Sequence, residues 1–427
     1  MILFQRRKVM RSYSSFTAVL ILIMFTVSHA AVYSGTEVKA DPESVNQVVE
    51  GGNKLAVDLY KKLTQENKGK NIFFSPVSIS TALAMTYAGA KGETAKEMAE
   101  VLHFGLPQEK LHPAYKKILS LFNDPAGTDS RSYDLTVANA LWGLKGYKWL
   151  DSFLNVTRKN YGAGLREVDF VKATEKARNT INTWVEKETN GKIKDLIPKD
   201  VLNPLTRLVL TNAVYFNGTW TEKFKKRNTR NQDFTVSSGT KKQVPLMHQT
   251  KHFKYTEAKG VKALEMRYKG NDLSMVVILP DTKDGFAALE QGLTKDTISS
   301  LIGKLKYERV SVTIPKFKMT STFSLKDVLS SMGMKKAFIF GTADFSGMNG
   351  VTSGLERLYI SAVIHKAFVD VNETGTEAAA ATAVVMAAGC APRRPKTFQA
   401  DHPFLFLIRD MRTGSILFMG RVMDPGK

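Results

Sequence analysis

Few side chains in this chain could do chemistry. The one cysteine, Cys390, follows Gly389 in the stretch Met386-Ala-Ala-Gly-Cys-Ala-Pro392. A lone thiol excludes an internal disulfide and a cysteine-based zinc site, and this one lies in no nucleophile motif. None of the seven histidines belongs to an HExxH pair. There is no phosphate loop and no G-x-S-x-G elbow, because Gly350-Val-Thr-Ser-Gly carries its serine one place too late. An enzyme is therefore not expected, nor a cofactor or a metal site.

The other distinctive chemistry is that of a strand. Residues 371–386 read Val-Asn-Glu-Thr-Gly-Thr-Glu-Ala-Ala-Ala-Ala-Thr-Ala-Val-Val-Met. Ala378, Ala379, Ala380 and Ala381 favour a helix, whereas the β-branched Thr382, Val384 and Val385 suit a strand. Taken two at a time, Thr376, Ala378, Ala380, Thr382, Val384 and Met386 make a small, then apolar, face. The opposite face begins with Glu377. That alternation fits a strand with one buried side. An Ala-rich helix or a linker remains open on these residues alone.

The bulk of the chain must position that stretch. With 427 residues, 43% of them hydrophobic, it can bury a sizeable core. The formal net charge is +21, which favours polyanions as partners without identifying one. Arg6-Arg7-Lys8, an apolar run from Phe16 to Val27 and then Ser28-His29-Ala30 form a secretory signal pattern over residues 1–30. The run is short for a membrane span, so a secreted protein is expected, extracellular or periplasmic, with no membrane contact once the leader is removed. Residues 31–50 are polar and expected to be disordered, leaving 51–427 as one folded domain.

Leu55, Leu59 and Leu63 mark a first helix. Ile72 to Phe74 suit a short strand. Ser75-Pro76 opens a helix, the serine capping it and proline in the first turn, with Ile79, Leu83 and Tyr87 on its buried face. Thr94-Ala-Lys-Glu97 reads as a capping box. Thr174 to Lys187 and Leu325 to Gly333 read as further helices. Strands are predicted at 135–142, 208–216, 244–255, 263–268, 273–279, 310–317 and 359–371, with Asn217-Gly218 as a turn and a hairpin across Asp410 to Gly414. Helices first and strands later, without βα alternation, indicate an α+β fold.

Six segments, in order, resemble the serpin family over about residues 50–425. They are Asn71-Ile-Phe-Phe-Ser-Pro-Val-Ser-Ile-Ser, Leu210-Thr-Asn-Ala-Val-Tyr-Phe-Asn-Gly-Thr-Trp220, Leu273-Ser-Met-Val-Val-Ile-Leu-Pro280, Ile360-Ser-Ala-Val-Ile-His365-Lys-Ala, Glu373-Thr-Gly-Thr-Glu-Ala-Ala-Ala-Ala-Thr382, and Asp401-His-Pro-Phe-Leu-Phe with Leu417-Phe-Met-Gly420. The resemblance implies a single-domain α+β fold of three β-sheets and about nine helices. It also implies an exposed reactive loop, about residues 373–400, that a protease cleaves. The loop then inserts into the central sheet and traps the acylated protease as a covalent complex. By the same resemblance, Ser75, Asn212 and His365 are shutter residues beneath that sheet and Trp220 the breach residue at its top. The hinge runs from Glu373 through Gly375 to Thr382. It carries no charged, bulky or proline residue on its inward face, as an inhibitor requires. A serpin-fold carrier that does not inhibit is the alternative.

Counted from Glu373, the resemblance puts the reactive bond between Gly389 and Cys390. Small residues there suit an elastase-like or subtilisin-like protease. The segment is a few residues longer than the family pattern, which leaves rival bonds after Ala388 or Cys390, and at Arg393–Arg394 for a trypsin-like target. Cys390 also keeps a papain-like target open. Lys223, Lys225, Lys226, Arg227, Arg230, Lys241 and Lys242 gather into a basic stretch, either a polyanion site or a solvated surface. No nucleic acid partner is expected, and the protein is expected to be a monomer.

Overall fold

The Ser75-Pro76 start signal is realised in the computed structural model, which describes residues 40–123, 133–162, 164–236, 239–375 and 394–426. The Ser75 side chain accepts the Ser78 N–H and Pro76 is the first helical residue. Residues from 40 on belong to one compact unit. Its first half holds α1 (Pro42–Glu66), β1 (Ile72–Phe74), α2 (Pro76–Tyr87), α3 (Gly92–Leu102), α4 (Gln108–Asn123), β2 (Tyr133–Leu144), α5 (Asp151–Tyr161), β3 (Leu165–Val168), α6 (Thr174–Glu188) and β4 (Leu208–Gly218). Then come β5 (Arg230–Thr235), β6 (Lys241–Ala258), β7 (Val261–Arg267), β8 (Leu273–Pro280), α7 (Phe286–Gln291), α8 (Lys295–Gly303), β9 (Lys306–Pro315), β10 (Phe317–Ser324) and α9 (Leu325–Met332). The chain closes with α10 (Ser346–Asn349), β11 (Ile360–Val371), β12 (Lys396–Gln399), β13 (Phe404–Asp410) and β14 (Ile416–Val422).

The α+β class expected from the sequence is what the protein adopts. Among the described residues there are ten α-helices, against about nine implied, and two hydrogen-bonded sheets, against three. The count of sheets differs because β6 is eighteen residues long and serves three neighbours in turn. It pairs with β5 through 241–246, with β9 through 246–255 and with β7 through 254–258, joining strands that a break in β6 would separate. One sheet is ordered β1-β14-β13-β8-β7-β6-β9-β12, with β5 on β6. The other is five-stranded, β10-β11-β4-β2-β3.

The five-stranded sheet is covered on both faces, which is why β4 reads as an unbroken apolar run. Leu208, Leu210, Val214 and Phe216 point into the main core, where α2 packs against β2, β4 and β14. Val209 and Ala213 point the other way, into a second core with Ile181 and Val185 of α6. Leu, Ile and Val side chains buried this fully contribute about 1.5–3 kcal/mol each.

Four local expectations are corrected. Residues 42–50 are helical, not disordered: Asp41 accepts the Ser44 N–H and starts α1 nine residues early. Thr94 and Glu97 form no capping box, because α3 begins at Gly92 and both side chains hold another segment. Thr94 accepts from Asp344 N–H, and Glu97 from Lys335 and Lys336 N–H. Asn217-Gly218 continues β4 along β2 instead of turning. Residues 310–317 span the end of β9, then Lys316, and the start of β10.

Candidate functional site: the seam between β4 and β11 and its open end

The strands β4 and β11 are parallel neighbours, paired from Leu208 with Ile360 to Tyr215 with Phe368, with a one-residue register shift between Ile360 and Ala362. No other strand lies between them over that span. Beneath the middle of this seam, a network of buried polar side chains joins five elements. Ser75 Oγ donates to Leu417 O at 2.7 Å, and Ser75 N–H donates to His365 Nε2 at 3.1 Å. With Nε2 accepting, the imidazole proton sits on Nδ1 and is donated to Asn212 Oδ1. Asn212 Nδ2 in turn lies 2.6 Å from both Ser78 Oγ and Asn139 Oδ1. Asn139 Nδ2 donates back to Ser78 O at 3.1 Å.

The structure thus brings Ser75, Asn212 and His365 together, and it adds Ser78 and Asn139. Neither was singled out from the sequence, where the only signals were a polar residue inside an apolar strand for Asn139 and a serine one turn after the cap for Ser78. His365 and Asn212 are both fully buried. Burial pushes the His365 pKa down to about 3, so the ring is neutral at physiological pH.

Above Tyr215 and Phe368 the two strands part. β4 continues to Gly218 along β2, and β11 continues to Val371 along β10. The chain then turns back, with Asn372 N–H donating to Gly375 O at 3.0 Å. Trp220 closes this end. Its backbone N–H donates to Thr374 O and its indole N–H to Asn372 O, each at 3.0 Å. The indole stacks on Tyr268 with ring centroids 4.5 Å apart.

Glu373 is held from two sides, by Thr229 Oγ1 at 2.8 Å and by Lys316 Nζ at 3.0 Å. Burial would raise its pKa. A backbone hydrogen bond and the donors from Lys316 and Thr229 outweigh that and keep the carboxyl below its usual value. Lys316 and Thr229 were not singled out from sequence, since their only mark is proximity to Glu373 in space.

Gly375 has φ +118°, and a Cβ added there would lie 2.2 Å from Gly218 O and 2.5 Å from Trp220 N. Only glycine fits. It forms an antiparallel bridge with Thr219 at the mouth of the seam. Thr376, Glu377, Ala378, Ala379, Ala380, Ala381, Thr382, Ala388, Gly389, Cys390 and Arg393 lie outside the described residues, and Arg394 is exposed.

The basic stretch is partly neutralised. Lys241 pairs with Asp233 at 3.3 Å and Lys242 with Asp424. Lys225, Lys226, Arg227 and Arg230 are exposed and Lys223 is half-buried.

Residues 50–425 match the family model described as Serpin (serine protease inhibitor). The chain is similar to an uncharacterized serpin-like protein of Thermococcus kodakarensis, 44% identical over 381 residues, 88% of this chain and 86% of that protein. It is also similar to the leukocyte elastase inhibitor of Homo sapiens, 40% identical over 389 residues, 89% of this chain and all of that one. Among solved structures it resembles human thyroxine-binding globulin, at 31% identity and a TM-score of 0.80, covering 90% of this chain and 99% of that one. The chain belongs to the serpin family.

Proposed function

We propose that this protein is a suicide-substrate inhibitor of a serine-type endopeptidase. The protease nucleophile attacks the Gly389 carbonyl, the Gly389–Cys390 bond breaks, and the new amine at Cys390 leaves with its fragment. The acyl-enzyme ester then remains on Gly389 while the upstream segment enters the seam between β4 and β11.

One observation supports this reading: the antiparallel bridge between Gly375 and Thr219, continued along β4, would give a register for the residues that follow. Each step beyond Gly375 goes one residue back along β4. On insertion in that register, Thr376, Ala378, Ala380, Thr382, Val384 and Met386 would stand opposite Gly218, Phe216, Val214, Asn212, Leu210 and Leu208, all buried and all but Gly218 and Asn212 within the main core. That is the small-then-apolar face of the hinge, on the side where it would be buried. Glu377, Ala379, Ala381, Ala383 and Val385 would stand opposite Asn217, Tyr215, Ala213, Thr211 and Val209. Insertion would exchange one parallel pairing for two antiparallel ones, which are slightly more stable per residue. It would also bury Val384 and Met386 at about 1.5–3 kcal/mol each. The loop-exposed form is then a state held by kinetics.

The small residues Ala387 to Gly389 fit a shallow primary pocket, so the target is elastase-like or subtilisin-like, as the name of the human leukocyte elastase inhibitor also suggests. The leader pattern in residues 1–30 supports export, and the exposed bases Lys225, Lys226, Arg227 and Arg230 support a polyanion as a secondary partner. Among the described residues no helix is long and apolar enough to cross a membrane.

The test is to mix the protein with an elastase, a subtilisin, a trypsin and a papain-like protease and to look for an SDS-stable complex. The mass of the released C-terminal peptide gives the bond. A peptide starting at Cys390 supports the trap and the bond. One starting at Arg394 with trypsin keeps the trap and moves the bond. Cleavage by every protease without a complex overturns the inhibitor and leaves a serpin-fold carrier, the role that the thyroxine-binding globulin's name describes.

A further inference from the structure

The top rung of the seam is an aromatic pair. Tyr215 of β4 and Phe368 of β11 are the last partners before the strands part, and Gly375 stands beyond them at the mouth. Both side chains leave the sheet on the face away from the main core, the face on which Ala213 and Ile364 of the same strands meet α6. The ring centroids lie 5.7 Å apart, with 32° between the planes. Tyr215 is buried and Phe368 is half-buried against the second core. Neither ring takes part in the polar network beneath the seam or in the turn at Asn372.

A lysine covers each ring. Lys318 of β10 places Nζ 5.2 Å from the Phe368 centroid, and Lys192, in the segment after α6, places Nζ 5.5 Å from the Tyr215 centroid. An ammonium over a ring face is attracted to it. The row Lys318, Phe368, Tyr215, Lys192 therefore ties β10 and β11, on one side of the seam, to β4 and the segment after α6 on the other. Neighbouring strands lie about 4.7–4.9 Å apart, so a strand placed between β4 and β11 holds them roughly 9.5 Å apart. The two rings cannot stay in contact across that gap. In the register that the Gly375–Thr219 bridge would start, Ala379 would come between them, and its methyl group cannot replace a lost ring. The contact is thus broken at the first rung, before Val384 and Met386 could reach the core. An interaction lost that early raises the barrier to entry.

We propose that Tyr215 and Phe368 are a clasp that sets the rate at which a strand enters the seam, with Lys318 and Lys192 holding the rings. The inference rests on the strand-entry step of the proposed function, and not on the choice of protease or of bond. The four are positioning residues: they act on the seam and not on the reactive bond.

The experiment needs no protease. A fluorescein-labelled peptide copying residues 376–389 is mixed with the uncleaved full-length protein, and fluorescence anisotropy gives the rate at which it is taken up. Phe368→Leu and Tyr215→Leu are each expected to speed uptake about threefold to tenfold, the worth of one aromatic pair. Lys318→Met, on the exposed side of the row, is expected to speed it about twofold. Phe368→Tyr keeps a ring in place and is expected to restore the native rate. The double leucine variant is expected to gain no more than the faster single one, because one contact cannot be lost twice. A general loosening of the fold would make the two gains multiply instead. Native rates in both leucine variants, or gains that multiply in the double variant, overturn the clasp and leave strand entry in place. Failure of the peptide to enter any form of the protein overturns the strand-entry step itself, and the clasp with it.

Discussion

His365 and Asn212 are direct partners in the parallel register of β11 on β4, and the imidazole Nδ1–H is donated to the Asn212 amide oxygen. The other ring nitrogen accepts the Ser75 N–H. A proton added to Nε2 would remove that acceptor and leave a charge with no solvent.

A pH dependence follows. Burial holds the His365 pKa at about 3, and likewise the pKa of His112 at about 4, against 6.5 for both in the unfolded chain. Both are depressed, so the folded state prefers the neutral rings. Their stabilisation is full above pH 6.5 and is lost as the pH falls toward those folded values. Each ring contributes a slope of up to about 1.4 kcal/mol per pH unit in that window. Urea midpoints of the uncleaved protein, taken from neutral pH downward, should fall with this slope. His365→Gln should flatten the profile, and an unchanged slope in that variant would remove His365 as its source.

Asn139 supplies a second prediction. It accepts from Asn212 Nδ2 and from Ser78 Oγ and donates to Ser78 O. Asn139→Ala strips buried groups of their partners and should cost about 2–4 kcal/mol, at 1–3 kcal/mol for each orphaned polar group. Thermal unfolding of the uncleaved protein would show it. A loss under about 0.5 kcal/mol, the range of an ordinary surface change, would mean that the network closes without Asn139.

Much of this seam was legible in the sequence because its cues are local. The Ser75 cap depends on the next three residues, and the strand reading of β11 on its own β-rich side chains. The partners of Asn212 and Glu373 were not legible, because Asn139 is 73 residues from Asn212 and no local pattern couples them. The same limit explains Thr94 and Glu97: the motif was present, but Asp344, Lys335 and Lys336 compete for its side chains from far along the chain. The division into sheets depended on whether β6 breaks near Leu246, and its composition does not decide that.

Gly375 makes a third prediction, at the mouth of the seam. Gly375→Ala places a Cβ 2.2 Å from Gly218 O, at a φ of +118°. Backbone atoms cannot give way as a flexible side chain would, so the turn at Asn372 must shift or strain. The expected cost is about 1–3 kcal/mol in the loop-exposed form. Calorimetric melting of the intact protein measures it, and an unchanged melting temperature would show that the turn relaxes freely.

The last prediction separates the two faces of the hinge. If the hinge inserts in the register that the Gly375–Thr219 bridge would start, Ala380 would stand opposite the buried Val214 and Ala381 opposite Ala213. Ala380→Arg would bring an unpaired charge into the main core at the middle of the seam, a penalty of several kcal/mol. Insertion would stall, the acyl-enzyme would hydrolyse, and the variant would be cleaved as a substrate with little covalent complex. Ala381→Arg would face the second, smaller core beside α6, from which a long side chain can carry its charge toward the surface. It should keep most of the complex. The ratio of complex to cleaved protein on one SDS gel compares them directly. Equal loss in both variants would mean that the inserted strand does not follow this register, and equal retention would mean that the alternation of small and apolar residues does not govern trapping.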